Sequence, residues 1–177
     1  MITPHPNQPI SISGQYFQFV PILDLPNIPY CEIGRKAQVF KIIRKDGQLF
    51  ALKVFFPYFR NSRILEINNL LLNYPKLSGL DVENRIVITQ INNKKLIEQF
   101  PDFEYAILMP WILKKSWSSI FMSKKGISLS KSFVLAINFC KVILALEQKG
   151  LAHTDLSGTN VFFFLSHLHS KTLPSGS

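Results

Sequence analysis

The sequence predicts an α+β protein, in which a mostly antiparallel sheet with one helix precedes a part that begins helically. Three observations predict this class. Two β-rich runs flank Lys45-Asp46-Gly47, apolar residues recur at helical spacing within residues 60–74, and a long apolar helical pattern covers residues 130–149. Strands followed by helices are typical of α+β proteins. The pattern places a boundary between the two parts near Ile112 to Lys115.

Composition indicates a folded protein of one domain, or one and a half. The chain has 177 residues, of which 47% are hydrophobic and 18% charged, so it can bury a core. Its formal net charge is +9. The lysines occur as scattered pairs without a basic stripe, which favours solvated surfaces over a nucleic-acid partner. Cys31 and Cys140 are far apart and predict neither a disulfide framework nor a zinc site.

The chain shows no targeting or membrane signal by the usual criteria. Its first residues lack the basic and apolar regions of a signal peptide. The longest apolar stretch, residues 133–146, is interrupted by Asn138 and Lys141 and is shorter than the ~18 residues that a membrane span needs. We therefore expect a cytoplasmic protein without a membrane span.

The first elements follow from proline and glycine positions. Residues 1–14 hold three prolines and polar residues and predict a flexible arm. Three further prolines, Pro21, Pro26 and Pro29, favour an extended segment. The runs "QVFKII" and "LFALKVFF" predict two antiparallel strands, since Asp-Gly between β-rich runs is a strong hairpin signal. Pro57 ends the second strand.

The later elements follow from periodicity. Residues 60–74 predict a helix that begins near Asn61 or Ser62. Residues 85–91 and 104–112 predict two strands, the first followed by a turn at residues 92–95. Residues 114–128 are ambiguous. The helix at residues 130–149 is apolar around most of its circumference, so we expect it to be mostly buried.

The segment after that helix, His153-Thr154-Asp155-Leu156-Ser157-Gly158-Thr159-Asn160, resembles the catalytic loop of protein kinases, H-R-D-L-x-x-x-N. Threonine stands at position 154 in place of the family's arginine. The resemblance implies that Asp155 accepts or orients the proton of the attacking hydroxyl and that Asn160 holds a magnesium ion. A polar turn that matches by chance is the alternative.

Upstream residues extend the resemblance to the kinase N-lobe. Ala51-Leu52-Lys53 resembles the Ala-x-Lys of the third kinase strand, which implies that Lys53 positions the α- and β-phosphates of ATP. The resemblance assigns Glu66, in the predicted helix, to orient Lys53. The alternatives are an edge-strand lysine that reaches solvent and a first-turn acid favoured by the helix dipole.

Two further segments resemble the walls of a nucleotide site. Read back from Val39, the glycine-rich loop pattern G-x-G-x-x-G-x-V falls on Glu32, Gly34 and Ala37, with Arg35 and Lys36 available to supply charge. In "AILMPWI", Met109 takes the gatekeeper position, and the backbone of Trp111 and Ile112 meets the adenine. The alternatives are a plain strand turn and a buried strand that ends at a proline.

The chain departs from the family after Asn160. The Asp-Phe-Gly motif and the remaining C-lobe elements, which cover the helix at residues 130–149, are absent, and no Asp or Glu follows Asp155. The resulting expected organisation is a flexible arm (1–14), a kinase-like N-lobe with hinge (15–113), the start of a C-lobe with the catalytic loop (114–165) and an irregular tail (166–177).

The resemblance therefore implies a truncated, inactive member of the protein kinase family, similar to bacterial serine/threonine kinases. ATP is the expected ligand, and magnesium is expected to bind weakly or not at all. A pseudokinase-type module that binds a protein through its uncovered helix is one alternative. A small-molecule phosphotransferase similar to aminoglycoside or choline kinases is another, because these enzymes share H-x-D-x-x-x-x-N. The 177-residue chain is expected to be poorly soluble or oligomeric.

Overall fold

The computed structural model describes residues 4–6, 8–72, 85–113, 116–123, 127–152, 158, 161 and 162. The strands in these residues are β1 (Ile10–Ile12), β2 (Gln15–Phe19), β3 (Pro21–Ile22), β4 (Leu25–Pro29), β5 (Cys31–Ile33), β6 (Ala37–Arg44), β7 (Leu49–Phe55), β8 (Ile86–Val87) and β9 (Ile107–Pro110). The helices are α1 (Arg63–Leu72), α2 (Gln90–Gln99), α3 (Trp117–Phe121) and α4 (Leu129–Glu147), with 3-10 turns at Pro57–Phe59 and Pro101–Phe103. This mixture confirms the α+β class.

The described chain divides into two compact units. The N-terminal unit contains the described residues up to Trp111, and the C-terminal unit contains those from Ile112 onward. The N-terminal unit holds the strands β1 to β9 and helices α1 and α2, whereas α3 and α4 belong to the C-terminal unit.

One antiparallel sheet organises the N-terminal unit. Its strand order is β1-β2-β6-β7-β9-β8, and β5 also pairs with β6. Strand β7 occupies one edge of β6, while β2 and β5 share the other: β2 pairs with residues 42–44 and β5 with residues 38–40. The two short strands therefore act together as one interrupted neighbour of β6.

The predicted β6–β7 hairpin is confirmed. Gly47 adopts a φ of 88°, its N–H donates to the Arg44 carbonyl at 2.9 Å, and the Arg44 N–H donates to the Gln48 carbonyl at 2.9 Å. The Arg44 guanidinium bonds the Asp46 carboxylate at 2.6 Å. Together with the Gln48 N–H, it lowers the pKa of Asp46 to about 2. Positive φ at one glycine is typical of a three-residue hairpin loop.

Replacing Gly47 with alanine is expected to lower the free energy of unfolding by about 1 kcal/mol, because a Cβ is unfavourable at this left-handed φ. Gly34→Ala is the matched control: its φ is not left-handed, and the added Cβ would lie at an ordinary 3.5 Å from the Ala37 carbonyl oxygen. Urea unfolding of both variants measures the difference. Equal losses would show that φ at residue 47 is not the cause.

The core lies on one face of the sheet, beneath a helix that the sequence patterns missed. Residues 88–95 were predicted to finish a strand and form a turn, and this prediction is wrong because α2 begins at Gln90. The Thr89 N–H donates to Asn92 Oδ1 at 2.8 Å, and the Asn92 amide donates to the Val87 carbonyl at 2.9 Å. These bonds satisfy backbone groups at the helix start. They outweigh the strand preference of the residues just before it. The core side chains from α2 and its following turn are Leu96, Ile97, Phe100 and Phe103.

The predicted N-terminal arm also needs correction, because its second half is part of the sheet. Strand β1 pairs with β2, and Ile10 and Ile12 are buried in the core. The Ser13 N–H donates to Asn93 Oδ1 at 2.7 Å, which joins the β1–β2 turn to α2. The alternating Ile-Ser-Ile pattern, with both isoleucines on one face, is the physical reason.

A small hairpin leaves the sheet between β2 and β5. Strands β3 and β4 pair only with each other, in a separate two-stranded sheet. The Val20 N–H donates to the Lys41 carbonyl at 2.9 Å, the Lys41 N–H donates to the Tyr30 carbonyl at 3.2 Å, and the Tyr30 N–H donates to the Val20 carbonyl at 2.7 Å. The hairpin therefore closes at Val20 and Tyr30. Pro21, Pro26 and Pro29 lie in these two strands, which confirms the extended conformation predicted for this segment.

Helix α4 of the C-terminal unit has the predicted position but not the predicted burial. The Ser128 hydroxyl accepts from the Lys131 N–H at 3.4 Å at its start, and Gly150 has a φ of 67° just after its end. Among its described side chains, only Leu135 and Leu146 are buried. A periodic apolar pattern predicts a helix but not a covering element, so the expectation of a mostly buried helix was wrong. By length and composition alone, α4 is also apolar enough to cross a membrane. A single helix of this kind is weak evidence for a membrane span.

Candidate functional site

Strand register brings four of the predicted N-lobe site residues to one surface. Val39 lies opposite Lys53, which lies opposite Ile107, and Ala51 lies opposite Met109. Directly paired residues of adjacent strands project to the same face of a sheet. The alternate residues of these strands fill the core, so these five side chains occupy the other face, which we call the Lys53 face.

The Lys53 face combines an apolar floor with an ammonium group. Ala51 and Ile107 are buried, whereas Val39, Lys53 and Met109 are half-buried. The Lys53 Nζ atom lies 5.3 Å from the centre of the Phe55 ring. Small and branched side chains leave room for a flat apolar group, and a neighbouring ammonium attracts anionic oxygens. The face therefore combines an apolar surface with one cationic group.

The predicted glycine-rich loop is a tight turn between β5 and β6. The Gly34 N–H donates to the Ala37 carbonyl at 2.9 Å, and the Phe56 N–H donates to the Lys36 carbonyl at 3.0 Å, which anchors the turn to the end of β7. Arg35 and Lys36 are exposed at its tip. Ala37 is buried, and Glu32, opposite Val39, is exposed. The turn therefore presents two cationic side chains at its tip, while Glu32 and Ala37 occupy two of the three predicted glycine positions.

The predicted hinge differs from expectation at Trp111. Its backbone N–H donates to the Leu49 carbonyl at 3.1 Å, so the sheet uses the donor that was assigned to the adenine. Hydrogen-bonded and non-bonded pairs alternate in antiparallel sheets, so the neighbouring Pro110 carbonyl points away from β7. The Pro110 carbonyl is therefore an acceptor that does not bond to β7, and the phase of strand pairing identifies it. Ile112, the other assigned hinge residue, is exposed.

An aromatic cluster holds Trp111 at this end of the Lys53 face. The rings of Tyr30 and Trp111 meet edge to face with centroids 5.7 Å apart. The Lys41 Nζ atom lies 5.8 Å and 5.3 Å from the two ring centres. The Tyr30 hydroxyl donates to Glu32 Oε1 at 2.8 Å, and this bond raises the pKa of Tyr30. Cation–π contacts of this kind restrict the side chains involved.

Glu66 lies on the solvent side of α1. The helix begins as predicted, with Asn61 Oδ1 accepting from the Arg63 N–H at 3.1 Å, but it buries Asn68 and exposes Glu66. Two residues along an α-helix correspond to a rotation of about 200° around the helix axis. The side chains of Glu66 and Asn68 therefore face nearly opposite directions. Lys53 and Glu66 do not form an ion pair among the described residues. The structure thus does not bring these two together, and the position of Glu66 suits a first-turn acid.

The catalytic residues predicted from the loop motif, Asp155 and Asn160, lie outside the described residues, and their roles stay predictions. Described neighbours of the loop contact the start of α3. The Trp117 N–H donates to the Val161 carbonyl at 2.8 Å, and the Ser118 N–H donates to the Gly158 carbonyl at 2.9 Å. A Cβ at residue 158 would lie 2.6 Å from Ser118 Oγ, so this packing favours glycine in the motif.

Metal binding has no support within the described part of the chain, which contains no group of three or more His, Cys, Asp or Glu residues that could hold a metal ion. The predicted magnesium ligand Asn160 is outside that part. Neither a protein-family model nor a curated protein matches this chain. The chemistry of the Lys53 face is therefore the basis for a functional assignment.

Proposed function

We propose that the N-terminal unit binds ATP on the Lys53 face, in the way of a protein kinase N-lobe. The observation that carries this proposal is the strand register, which groups Val39, Ala51, Lys53 and Met109 on the face away from the core. Residues of different strands, 12 to 70 positions apart in sequence, share this surface only because three strands pair in this phase. The grouping supports the proposal because it combines an apolar surface for the base with a cation for the phosphates.

In the proposed complex, the adenine lies against Ala51, Val39 and Met109, and the Pro110 carbonyl accepts from its amino group. The Lys53 ammonium then contacts the α- and β-phosphates. The Arg35 and Lys36 side chains extend from the turn towards the distal phosphates. Charged hydrogen bonds to phosphate are among the stronger polar interactions of proteins, so Lys53 dominates the affinity.

The family reaction moves the γ-phosphate of ATP to a Ser or Thr hydroxyl, with Asp155 orienting the hydroxyl and Asn160 holding magnesium. The 177 residues contain no acidic residue after Asp155. Neutralisation of phosphate charge is a main source of rate in this chemistry. We therefore propose that the 177-residue chain binds nucleotide without detectable turnover.

A second proposal, a pseudokinase-type interaction module, has one observation in its favour. Helix α4 exposes large apolar side chains, including Phe133, Ile137 and Leu144. Apolar surface of this kind is typical of protein interfaces. The two proposals are compatible, since one concerns the N-terminal unit and the other the C-terminal unit.

Lys53→Met is expected to weaken ATP binding at least about tenfold, because a hydrogen bond to a charged group contributes about 1.5–3 kcal/mol. Isothermal titration calorimetry measures the affinity. Lys45→Met is the matched control, since Lys45 lies in the exposed β6–β7 turn, and it should leave ATP affinity unchanged. Adenosine lacks phosphates and should bind wild type and Lys53→Met equally. Equal ATP affinity of wild type and Lys53→Met would contradict the role of Lys53, and no binding of either ligand would contradict the site.

A further inference from the structure

Two aromatic side chains meet across the end of the Lys53 face that is proposed to hold the adenine, which we call the base end. Tyr30 lies beside the outer edge of β6, where the Lys41 N–H donates to its carbonyl at 3.2 Å. Trp111 lies beyond β7, where its own N–H donates to the Leu49 carbonyl at 3.1 Å. The centres of the two rings are nevertheless 5.7 Å apart. Because neighbouring strands are about 4.8 Å apart, rings that start on opposite sides of β6 and β7 meet above these strands. We call this pair the aromatic bridge.

Lys41 and Glu32 hold the aromatic bridge in place. The Lys41 Nζ atom lies 5.8 Å from the centre of the Tyr30 ring and 5.3 Å from that of the Trp111 ring, so one ammonium contacts both halves. The Tyr30 hydroxyl donates to Glu32 Oε1 at 2.8 Å. Edge-to-face rings and cation–π contacts each stabilise this arrangement. Tyr30, Lys41 and Trp111 are only half-buried, so rotation of these side chains is enough to separate the rings.

The aromatic bridge explains why Ala51 is closed to solvent. Ala51 is 5% exposed, although it has the smallest side chain on the Lys53 face and projects away from the core. Lys41 lies directly opposite Ala51, and its side chain ends against the two rings. A line from Tyr30, beside Lys41, to Trp111, beside Leu49, passes over β7 next to Ala51. The apolar floor that is proposed to contact the adenine is therefore covered in this structure.

We propose that the aromatic bridge is a lid over the base end of the Lys53 face, which opens when a nucleotide binds. This inference rests on the proposed function, because it concerns the same site. Val39 and Lys53 pair one step farther along the strands, so the phosphate end of the site lies beyond the lid. A ligand with a base must separate the two rings, whereas a ligand that consists of phosphates alone need not.

Tyr30→Ala removes one ring of the lid and is expected to strengthen adenosine binding about tenfold in calorimetry, because contacts of the bridge no longer reduce the fraction of open protein. Tyr16→Ala is the matched control. Tyr16 is 66% exposed in β2, so its replacement should leave adenosine affinity unchanged. Weaker adenosine binding by Tyr30→Ala would indicate a fixed wall that contacts the base, and unchanged binding would indicate that the bridge does not cover the site. Either result would overturn the lid.

Lys41→Met is a second variant that keeps both rings and removes the ammonium between them. It is expected to strengthen adenosine binding about threefold, since one cation–π cluster no longer holds the lid closed. Lys45→Met removes the same charge from the exposed β6–β7 turn and should leave adenosine affinity unchanged. Weaker binding by Lys41→Met than by Lys45→Met would contradict the locking role of Lys41.

The fluorescence of Trp111 reports the movement itself. The chain has two tryptophans, so Trp117→Phe leaves Trp111 as the sole emitter. Saturating adenosine is expected to increase the quenching of Trp111 by acrylamide, because an open lid exposes the indole ring. Inorganic tripolyphosphate, which has no base, should leave the quenching unchanged. Protection of Trp111 by adenosine, or an equal increase with tripolyphosphate, would show that the bridge does not open for a base.

The lid and the proposed function fail in different ways. If ATP and adenosine bind the wild type while Tyr30→Ala changes neither affinity, the lid is wrong and the proposed function stands. If neither ligand binds the wild type or Tyr30→Ala, the proposed function is wrong and the lid falls with it. Binding by Tyr30→Ala alone would support both, since it would reveal a site that the closed bridge blocks.

Discussion

Replacing Phe103 with alanine is expected to lower the free energy of unfolding of the N-terminal unit by about 3–5 kcal/mol. Phe103 is fully buried. Its ring stacks on Phe100 with centroids 4.9 Å apart and lies 6.5 Å from the Phe19 ring. The substitution removes a large apolar side chain and leaves a cavity between the sheet and the turn after α2. Losses of this size approach the whole stability of a small domain.

Urea unfolding followed by circular dichroism measures this loss, and Tyr58→Ala is the control. Tyr58 is also aromatic but 88% exposed, so its replacement should change the free energy of unfolding by less than about 0.5 kcal/mol. Since the core and the Lys53 face share β6 and β7, Phe103→Ala should also reduce ATP binding. A Phe103→Ala variant as stable as Tyr58→Ala would contradict the described packing of α2 and its turn.

Replacing Phe133 and Ile137 together with serine is expected to abolish most self-association of the chain. These side chains are 60% and 54% exposed on α4, and they lie one turn apart on one helix face. Burial of two such side chains contributes about 3–6 kcal/mol, so their loss lowers an association constant by at least about a hundredfold.

Sedimentation velocity over a range of concentrations measures the association, and flotation with liposomes tests whether α4 binds lipid instead. Leu135→Ser is the matched control in the same helix. Leu135 is 7% exposed, so this change should lower thermal stability and leave association unaltered. A wild-type chain that stays monomeric and does not float would show that the exposed face of α4 has no affinity for copies of itself or for lipid.

Elements encoded by neighbouring residues were predictable from the sequence. The β6–β7 hairpin depends on Gly47 and the β-rich runs beside it, and α4 depends on its apolar period and on Gly150. Helix α2 was not predictable by the same patterns, because its start depends on hydrogen bonds of one amide, Asn92. Those bonds decide the conformation of a segment whose composition favours a strand.

The part of the site that lies within one strand was predictable from the sequence. Because side chains alternate along a strand, Ala51 and Lys53 must share a face. Which residue of β6 or β9 lies opposite them depends on pairing between distant segments. The rotation of α1 about its axis is equally non-local, and it exposes Glu66 while burying Asn68. Sequence spacing identified an acid at a plausible distance from Lys53 but carried no information about that rotation.

The closure of the β3–β4 hairpin makes it a position for protein engineering. Val20 and Tyr30 bond to each other and both bond to Lys41, so the pairing of β6 with its neighbours does not pass through the nine intervening residues. Leu23, between β3 and β4, is 95% exposed. Exposed loop tips of this kind tolerate inserted sequence well. A fluorescent label or an affinity peptide joined at Leu23 would therefore follow the N-terminal unit in solution while leaving the sheet that carries Lys53 unaltered.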